Sequence, residues 1–335
     1  QFDDAGLAIA LVHQIFKAGG LAINHVRFDS FTTRNQRISG ANLIDKDSGN
    51  HLTVSAKAVV NATGVRSDLL RNSDDGGCKP LIAASRGSHI VLPREHLPGE
   101  AALMIPKTDD GRVLFAIPWS EHLLVGTTDV AVSNPTTEPE PSVEEIRFLL
   151  DHLNQHISKP AEQSDILSTF AGLRPLVRST KTGSTAALKR DHHIEVARSG
   201  LISVIGGKWT TFRKMAEDTV DHAITVGNLP PRHCVTAERP IEAWFQPGNA
   251  PRLDERLSIT REQIEHAVKS DLALTLEDVL SRRSRCLFLN ARATLDIAPQ
   301  VASLMASALG CDISWQSAQL KQFERIALRF LPTAA

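Results

Sequence analysis

Lys208 stands directly behind Gly206 and Gly207, and Thr210 and Thr211 follow it. An ammonium group beside a glycine-opened helix start suits negative charge, because free N–H groups and the helix dipole point outward there. The competing reading is an ordinary strand-to-helix turn with a solvated lysine. Arg174 lies in the apolar strand pattern Gly172-Leu173-Arg174-Pro175. A guanidinium in that setting is costly unless paired, so it serves either a buried ion pair or an anion gripped in bidentate fashion. Asn61-Ala62-Thr63-Gly64 closes a short apolar run. It fits a strand end passing under a dinucleotide, with Thr63 donating a hydrogen bond and Gly64 allowing close approach. It equally fits a plain strand-to-turn transition. Thr127 and Thr128 can hydrogen-bond a substrate or simply follow strand preference. His192 and His193 read as a polar hairpin pair and not a metal site, since adjacent strand residues face opposite sides. Glu277, Asp278, Arg282 and Arg283 fall at salt-bridge spacing on one helix and read as structural.

The elements that must hold these groups follow from periodicity. Residues 201–205 are apolar and largely β-branched, which predicts a buried strand. The helix after them runs from about 212 to 223, with Met215, Ala216, Thr219, Val220 and Ala223 inward and Thr210 and Thr211 as caps. Upstream, helical spacing over 7–18 ends at Gly19-Gly20 and gives way to strands over 21–31, 37–44 and 52–55. Residues 47–50 form the turn of the hairpin joining the last two. A further strand covers 58–64. Residues 79–129 are strand-rich, at 87–92, 101–105, 112–119 and 122–127. A proline- and glutamate-rich connector follows at 135–141. Ser142 and Glu145 then form a capping box that opens a helix to about 157. Strands return over 165–177 and in a hairpin of 186–197 with 201–205. After a loop at 238–251, helical patterns occupy 260–269, 276–289, 293–309 and 314–330.

With 335 residues, 42% hydrophobic and 22% charged, the chain suits a soluble protein of two domains. Its net charge of −1, without a basic block, argues against nucleic acid. Cys78, Cys234, Cys286 and Cys311 show no CxxC spacing, which argues against zinc and for a reducing compartment. No apolar run reaches membrane-spanning length and no signal peptide is visible. The first residue is Gln1, and a helix follows almost at once, so an N-terminal part is expected to be missing.

Taken in order, the motifs are Asn61-Ala-Thr-Gly64, Arg86-Gly-Ser-His-Ile-Val91, Ile117-Pro-Trp119, Gly126-Thr-Thr-Asp129, Gly172-Leu-Arg-Pro175, Lys189-Arg-Asp191, Gly206-Gly-Lys208 with Thr210-Thr-Phe-Arg213, and the run from Thr275 to Arg283. Together these closely resemble the FAD-dependent glycerol-3-phosphate dehydrogenases and their oxidase relatives. The resemblance implies an α+β / α/β fold of the glycine-oxidase-like, FAD-linked type. Its parts would be an incomplete dinucleotide-binding domain (1–78), an antiparallel substrate sheet (79–200), a flavin-contacting strand and helix (201–229) and a helical cap (230–335). No GxGxxG follows a strand, so the pyrophosphate cradle is expected to be absent and FAD to be held weakly by this chain alone.

The implied reaction is oxidation of sn-glycerol 3-phosphate to dihydroxyacetone phosphate, with electrons passing to quinone or oxygen. The resemblance places Ala62, Thr63, Gly64, Gly206, Gly207, Lys208, Trp209 and Thr210 at FAD. Arg174 would orient the substrate oxygens, Arg190 would hold the phosphate with Lys189 as its substitute, and Thr127 and Thr128 would assist. His89 would supply a base of near-neutral pKa, or is simply a satisfied sheet histidine. The implied setting is cytoplasmic and peripheral, on the inner face of the cytoplasmic membrane. The oligomeric state is open, a homodimer being one arrangement. Rival readings are a flavin amine or amino-acid oxidase and a truncated, non-catalytic fragment.

Overall fold

The computed structural model describes residues 2–109, 111–133, 138–178, 191–246 and 248–332. Helix α1 (Asp4–Lys17) opens under a cap from Asp3, whose carboxylate accepts the N–H groups of Ala5 and Gly6. Strands β1 (Val26–Arg34), β2 (Arg37–Asp45) and β3 (His51–Ser55) form an antiparallel meander. β1 begins at Val26 and not at residue 21. His25 is left-handed (φ 55°) and its ring reaches Asp278 at 2.9 Å, which turns the chain before the ladder starts. Strand β4 (Val59–Asn61) runs through a helical turn, Gly64–Arg66, into α2 (Ser67–Asp74).

The largest sheet is built on β5 (Ile82–Pro93). It adds β6 (Leu103–Ile105), β7 (Leu114–Trp119), β8 (His122–Gly126) and β9 (Val130–Val132). Helix α3 (Val143–Asn154) follows, its capping box present as predicted, and then β10 (Ser168–Val177). The strand order is β10-β5-β8-β7-β6, with β9 on the other stretch of β5. Ile90, Leu92, Leu123 and Val125 of this sheet bury against Ile146, Leu149 and Leu153 of α3. That packing makes β5, β8 and β10 a rigid plate on which side chains can be held precisely enough for chemistry.

β11 (His192–Val196) and β12 (Leu201–Gly206) form a hairpin, and β12 also pairs in parallel with β4. Helix α4 (Phe212–Val226) packs on that small sheet. A hairpin the periodicity missed, β13 (Arg252–Asp254) with β14 (Leu257–Thr260), leads into α5 (Arg261–Lys269). Its strands are too short to show alternation. The helix expected over 276–289 is split into a wide π-turn, Asp278–Arg283, and the short α6 (Cys286–Leu289). Arg285, left-handed at φ 62°, makes the break and lays its guanidinium 4.7 Å from the Phe288 ring centroid. The wide turn brings Arg282 within 2.5 Å of Glu277, a five-residue spacing that an α-helix would not align. α7 (Ala291–Leu309) and α8 (Ile313–Ala327) complete a second core around Val279, Leu287, Val301, Met305 and Phe323. All four cysteines are free thiols. Among the described residues no helix is long and apolar enough to cross a membrane, and no group of metal ligands gathers.

Candidate active site

β10 lies antiparallel to β5, with Gly172 opposite Gly87 and Arg174 opposite Ser85. The Arg174 side chain crosses over Gly87, so a Cβ built there would sit 2.3–2.6 Å from the guanidinium atoms. Nη2 of Arg174 donates to Thr127 Oγ1 at 2.9 Å and Nη1 to the Thr128 carbonyl at 3.2 Å. Asp129 Oδ1 lies 3.9 Å from Nη1. Arg174 is thus fixed from the loop after β8 while its side chain stays 36% exposed. Arg174 is therefore not a fully buried ion pair: a carboxylate is near, and the guanidinium also reaches the surface. Gly87→Ala is expected to displace the guanidinium and lower kcat/KM by about 100-fold, since ångström misplacements cost that much. Circular dichroism should show the sheet intact in that variant.

His89 is the next residue on the same face of β5, opposite Phe170 on one side and Gly126 on the other. Its ring stacks on Phe170 with centroids 5.0 Å apart and planes 13° apart. Gly126 makes room for it, because a Cβ there would meet the ring at 2.1 Å. Nδ1 is buried without a hydrogen-bond partner. Burial, then the charge of Arg174, push the His89 pKa down to about 4. A base of near-neutral pKa was expected; in the structure His89 is instead firmly neutral at pH 7.

Thr128 corrects a second expectation. Its side chain is buried (2% exposed), donates to Glu145 Oε1 at 2.6 Å and accepts the Ser88 N–H at 2.9 Å. The hydroxyl therefore points into the protein, away from any substrate, and only its carbonyl serves the site. Thr127 Oγ1 receives Arg174 and donates to the Thr128 carbonyl.

The second half of the site is the common edge where parallel β4 and β12 end, with Ser203 aligned to Asn61. Buried Asn61 ties the two strands, donating to Ser203 Oγ at 3.2 Å and to the Ser67 carbonyl at 3.0 Å. Its Oδ1 accepts both the N–H and the hydroxyl of Thr63. The Thr63 hydroxyl hydrogen is thus already engaged within the chain, contrary to the donor role expected of it. Ala62 and Thr63 are exposed, and Gly64 (φ 59°) has open space where a Cβ would stand. Gly206 and Gly207 are left-handed at φ 76° and 79°. A Cβ on Gly206 would lie 2.6 Å from Val177 Cγ2 and 3.8 Å from the Pro175 carbonyl. This close approach sets the Val177 end of β10 against the end of β12. Gly206→Ala is expected to cost at least about 1–2 kcal/mol from the left-handed backbone alone, read as a lower urea midpoint.

Thr210 and Thr211 do not cap α4 as expected. Trp209–Thr211 form a separate helical turn, in which Thr211 Oγ1 accepts the Lys208 N–H and donates to the Lys208 carbonyl. α4 runs on directly from that turn, with no side-chain cap and with the Phe212 N–H donated to the Trp209 carbonyl. Lys208, Trp209 and Thr210 are exposed around it. Lys208 is presented at this edge and not enclosed in a pocket with Arg174. Arg190 and Lys189 lie outside the described residues. His192 on β11 pairs with Asp218 of α4 at 2.9 Å.

Gly87, Gly126, Phe170 and Glu145 were missed as parts of the site. Gly87 and Gly126 stood within the quoted motifs, but only strand register reveals what they clear. The exposed residues after β4, the left-handed glycines and the exposed Lys208 together fit the ring edge of a flavin.

The profile of the FAD dependent oxidoreductases matches residues 1–213. The chain belongs to this family. The C-terminal domain of alpha-glycerophosphate oxidase matches residues 202–318 of the same flavin-oxidoreductase chain. It is 33% identical over 372 residues to the probable mitochondrial glycerol-3-phosphate dehydrogenase of Caenorhabditis elegans, covering 96% of this chain and 51% of that protein. The mitochondrial glycerol-3-phosphate dehydrogenase of Rattus norvegicus is 31% identical over 387 residues, covering 99% and 52%. The chain thus spans about half the length of these relatives. In fold it matches the glycerol-3-phosphate dehydrogenase from Bacillus halodurans, solved with FAD, at a TM-score of 0.83 and 23% identity, over 100% of this chain and 75% of that one.

Proposed function

We propose that this flavin oxidoreductase chain forms the substrate face and flavin-ring edge of an FAD-dependent glycerol-3-phosphate dehydrogenase. The reaction is sn-glycerol 3-phosphate to dihydroxyacetone phosphate. The observation that carries the reading is the shared sheet face of Arg174 on β10 and neutral His89 on β5, with the end of β10 beside Gly206. FAD, when bound, supplies the acceptor for the hydride leaving C2. The chain's own residues do the rest. Arg174 grips substrate oxygens and orients C2. His89 takes the C2 hydroxyl proton at Nε2, because Nδ1 is enclosed. The phosphate dianion brings negative charge that raises the His89 pKa from its low resting value as substrate binds. Gly206, Gly207, Lys208, Trp209 and Thr210, with Ala62, Thr63 and Gly64, would hold the flavin. The helix start and Lys208 would favour charge gathering there. Arg190 would take the phosphate.

The segments divide on this reading as 1–78, 79–200, 201–229 and 230–335. Electrons would leave to quinone, or to oxygen in an oxidase, with peripheral membrane contact. The test is dye-linked turnover of the FAD-loaded protein on glycerol 3-phosphate, glycine and sarcosine. Turnover of glycerol 3-phosphate alone supports the assignment. Preference for an amine transfers it to the amine oxidases.

A further inference from the structure

Glu145 does more than a capping box requires. A box needs one carboxylate oxygen on the cap N–H, and Oε2 supplies it to Ser142 at 3.0 Å. Such a glutamate can remain in solvent. Glu145 instead is only 6% exposed and reaches from α3 into the large sheet. Oε1 accepts the hydroxyls of Ser88 (2.9 Å) and Thr128 (2.6 Å), and Oε2 pairs with Arg86 at 2.6 Å. Burial opposes its charge, yet these bonds together with the Ser142 N–H outweigh it and keep the carboxylate pKa below its usual range. Thr128 is held on its other side by the Ser88 N–H at 2.9 Å. It therefore has little freedom to move while Glu145 is charged. Its carbonyl, with the adjoining Thr127 hydroxyl, receives both guanidinium donors named for Arg174.

We propose that Glu145 is a positioning residue for Arg174, acting through Thr128. Helix α3 thereby sets the direction of the substrate-binding guanidinium from the opposite side of the sheet. This rests on the assignment of Arg174 to substrate made above, while the geometric part concerns Arg174 alone.

Thr128→Val cuts the link with least disturbance, since Glu145 keeps Ser88, Ser142 and Arg86. It is expected to lower kcat/KM by about 10- to 100-fold through both KM and kcat, with bound flavin unchanged. Thr128→Ser, which keeps the hydroxyl, is expected to recover most of that loss. Glu145→Ala, which removes the acceptor of the Thr128 hydroxyl, should cost at least a similar factor. The double variant should be no worse than the poorer single one, because both break the same bond. A crystal structure of Thr128→Val should show the guanidinium moved away from Thr127 Oγ1. Losses that multiply in the double variant, or a guanidinium unmoved in that crystal structure, would overturn the proposal. If the wild-type protein does not oxidise glycerol 3-phosphate, the functional reading fails separately, and the position of Arg174 in the variant still decides this one.

Discussion

Arg174→Ala is expected to lower kcat/KM for glycerol 3-phosphate by about a thousandfold, the usual scale for removing one partner of a desolvated charge contact. The loss should appear in both KM and kcat, because the same guanidinium binds the substrate and orients C2. Arg174→Lys should recover less than about tenfold of it. An ammonium cannot reproduce the planar fork that Thr127 and Thr128 now hold. The ladder of β10 with β5 is built from backbone groups on both sides of position 174, so the sheet should survive either change. Steady-state kinetics on purified, flavin-loaded variants checks this. An alanine variant within tenfold of wild type would exclude Arg174 from the substrate site.

His89→Ala is expected to lower kcat by about 10²- to 10⁴-fold, the range for loss of a general base. The pH profile is the sharper test. The resting pKa is about 4, so His89 in the free enzyme is already neutral at pH 5. With substrate counted as the phosphate dianion, kcat/KM should show no break near 6.5 and should fall only toward pH 4. The limb in kcat should lie higher, since the bound dianion raises the pKa in the complex. Equal limbs near 6.5 in both profiles would contradict the account. Stability carries the same signature. The unfolded chain binds more protons at His89 between its ordinary pKa and the lowered native one, so stability rises with pH over that window. The contribution is complete above about 6.5 and is lost as pH falls toward 4. Urea denaturation of wild type and a His89→Phe variant at pH 5 and 7 should show the wild type losing stability relative to the variant in the acid sample.

Much of this architecture is legible in the residues because it is local. The apolar run within His122–Gly126, the Ser142–Glu145 box and the apolar run 201–205 followed by two glycines each carry their own signal. Arg174 was conspicuous because a charge in an apolar strand demands a reason. What could not be read depends on register. Gly87 matters only because Gly172 lies opposite it and Arg174 crosses above it, and Gly126 only because His89 lies opposite. Glu145 announced its cap but not its second set of partners, which arrive from other strands. Thr127 and Thr128 look alike in sequence, yet their neighbours give them opposite directions. At the break, Arg285 lays its guanidinium over the nearby Phe288 and over Trp119, which is distant in the chain.

The most direct test mixes flavin-loaded protein with glycerol 3-phosphate without oxygen and follows the flavin's visible absorbance in a single turnover. The account predicts rapid bleaching in the wild type and bleaching slowed by about three orders of magnitude in Arg174→Ala, with glycine and sarcosine inert. Equal bleaching rates in the two proteins, or bleaching by an amine and not by glycerol 3-phosphate, would contradict it.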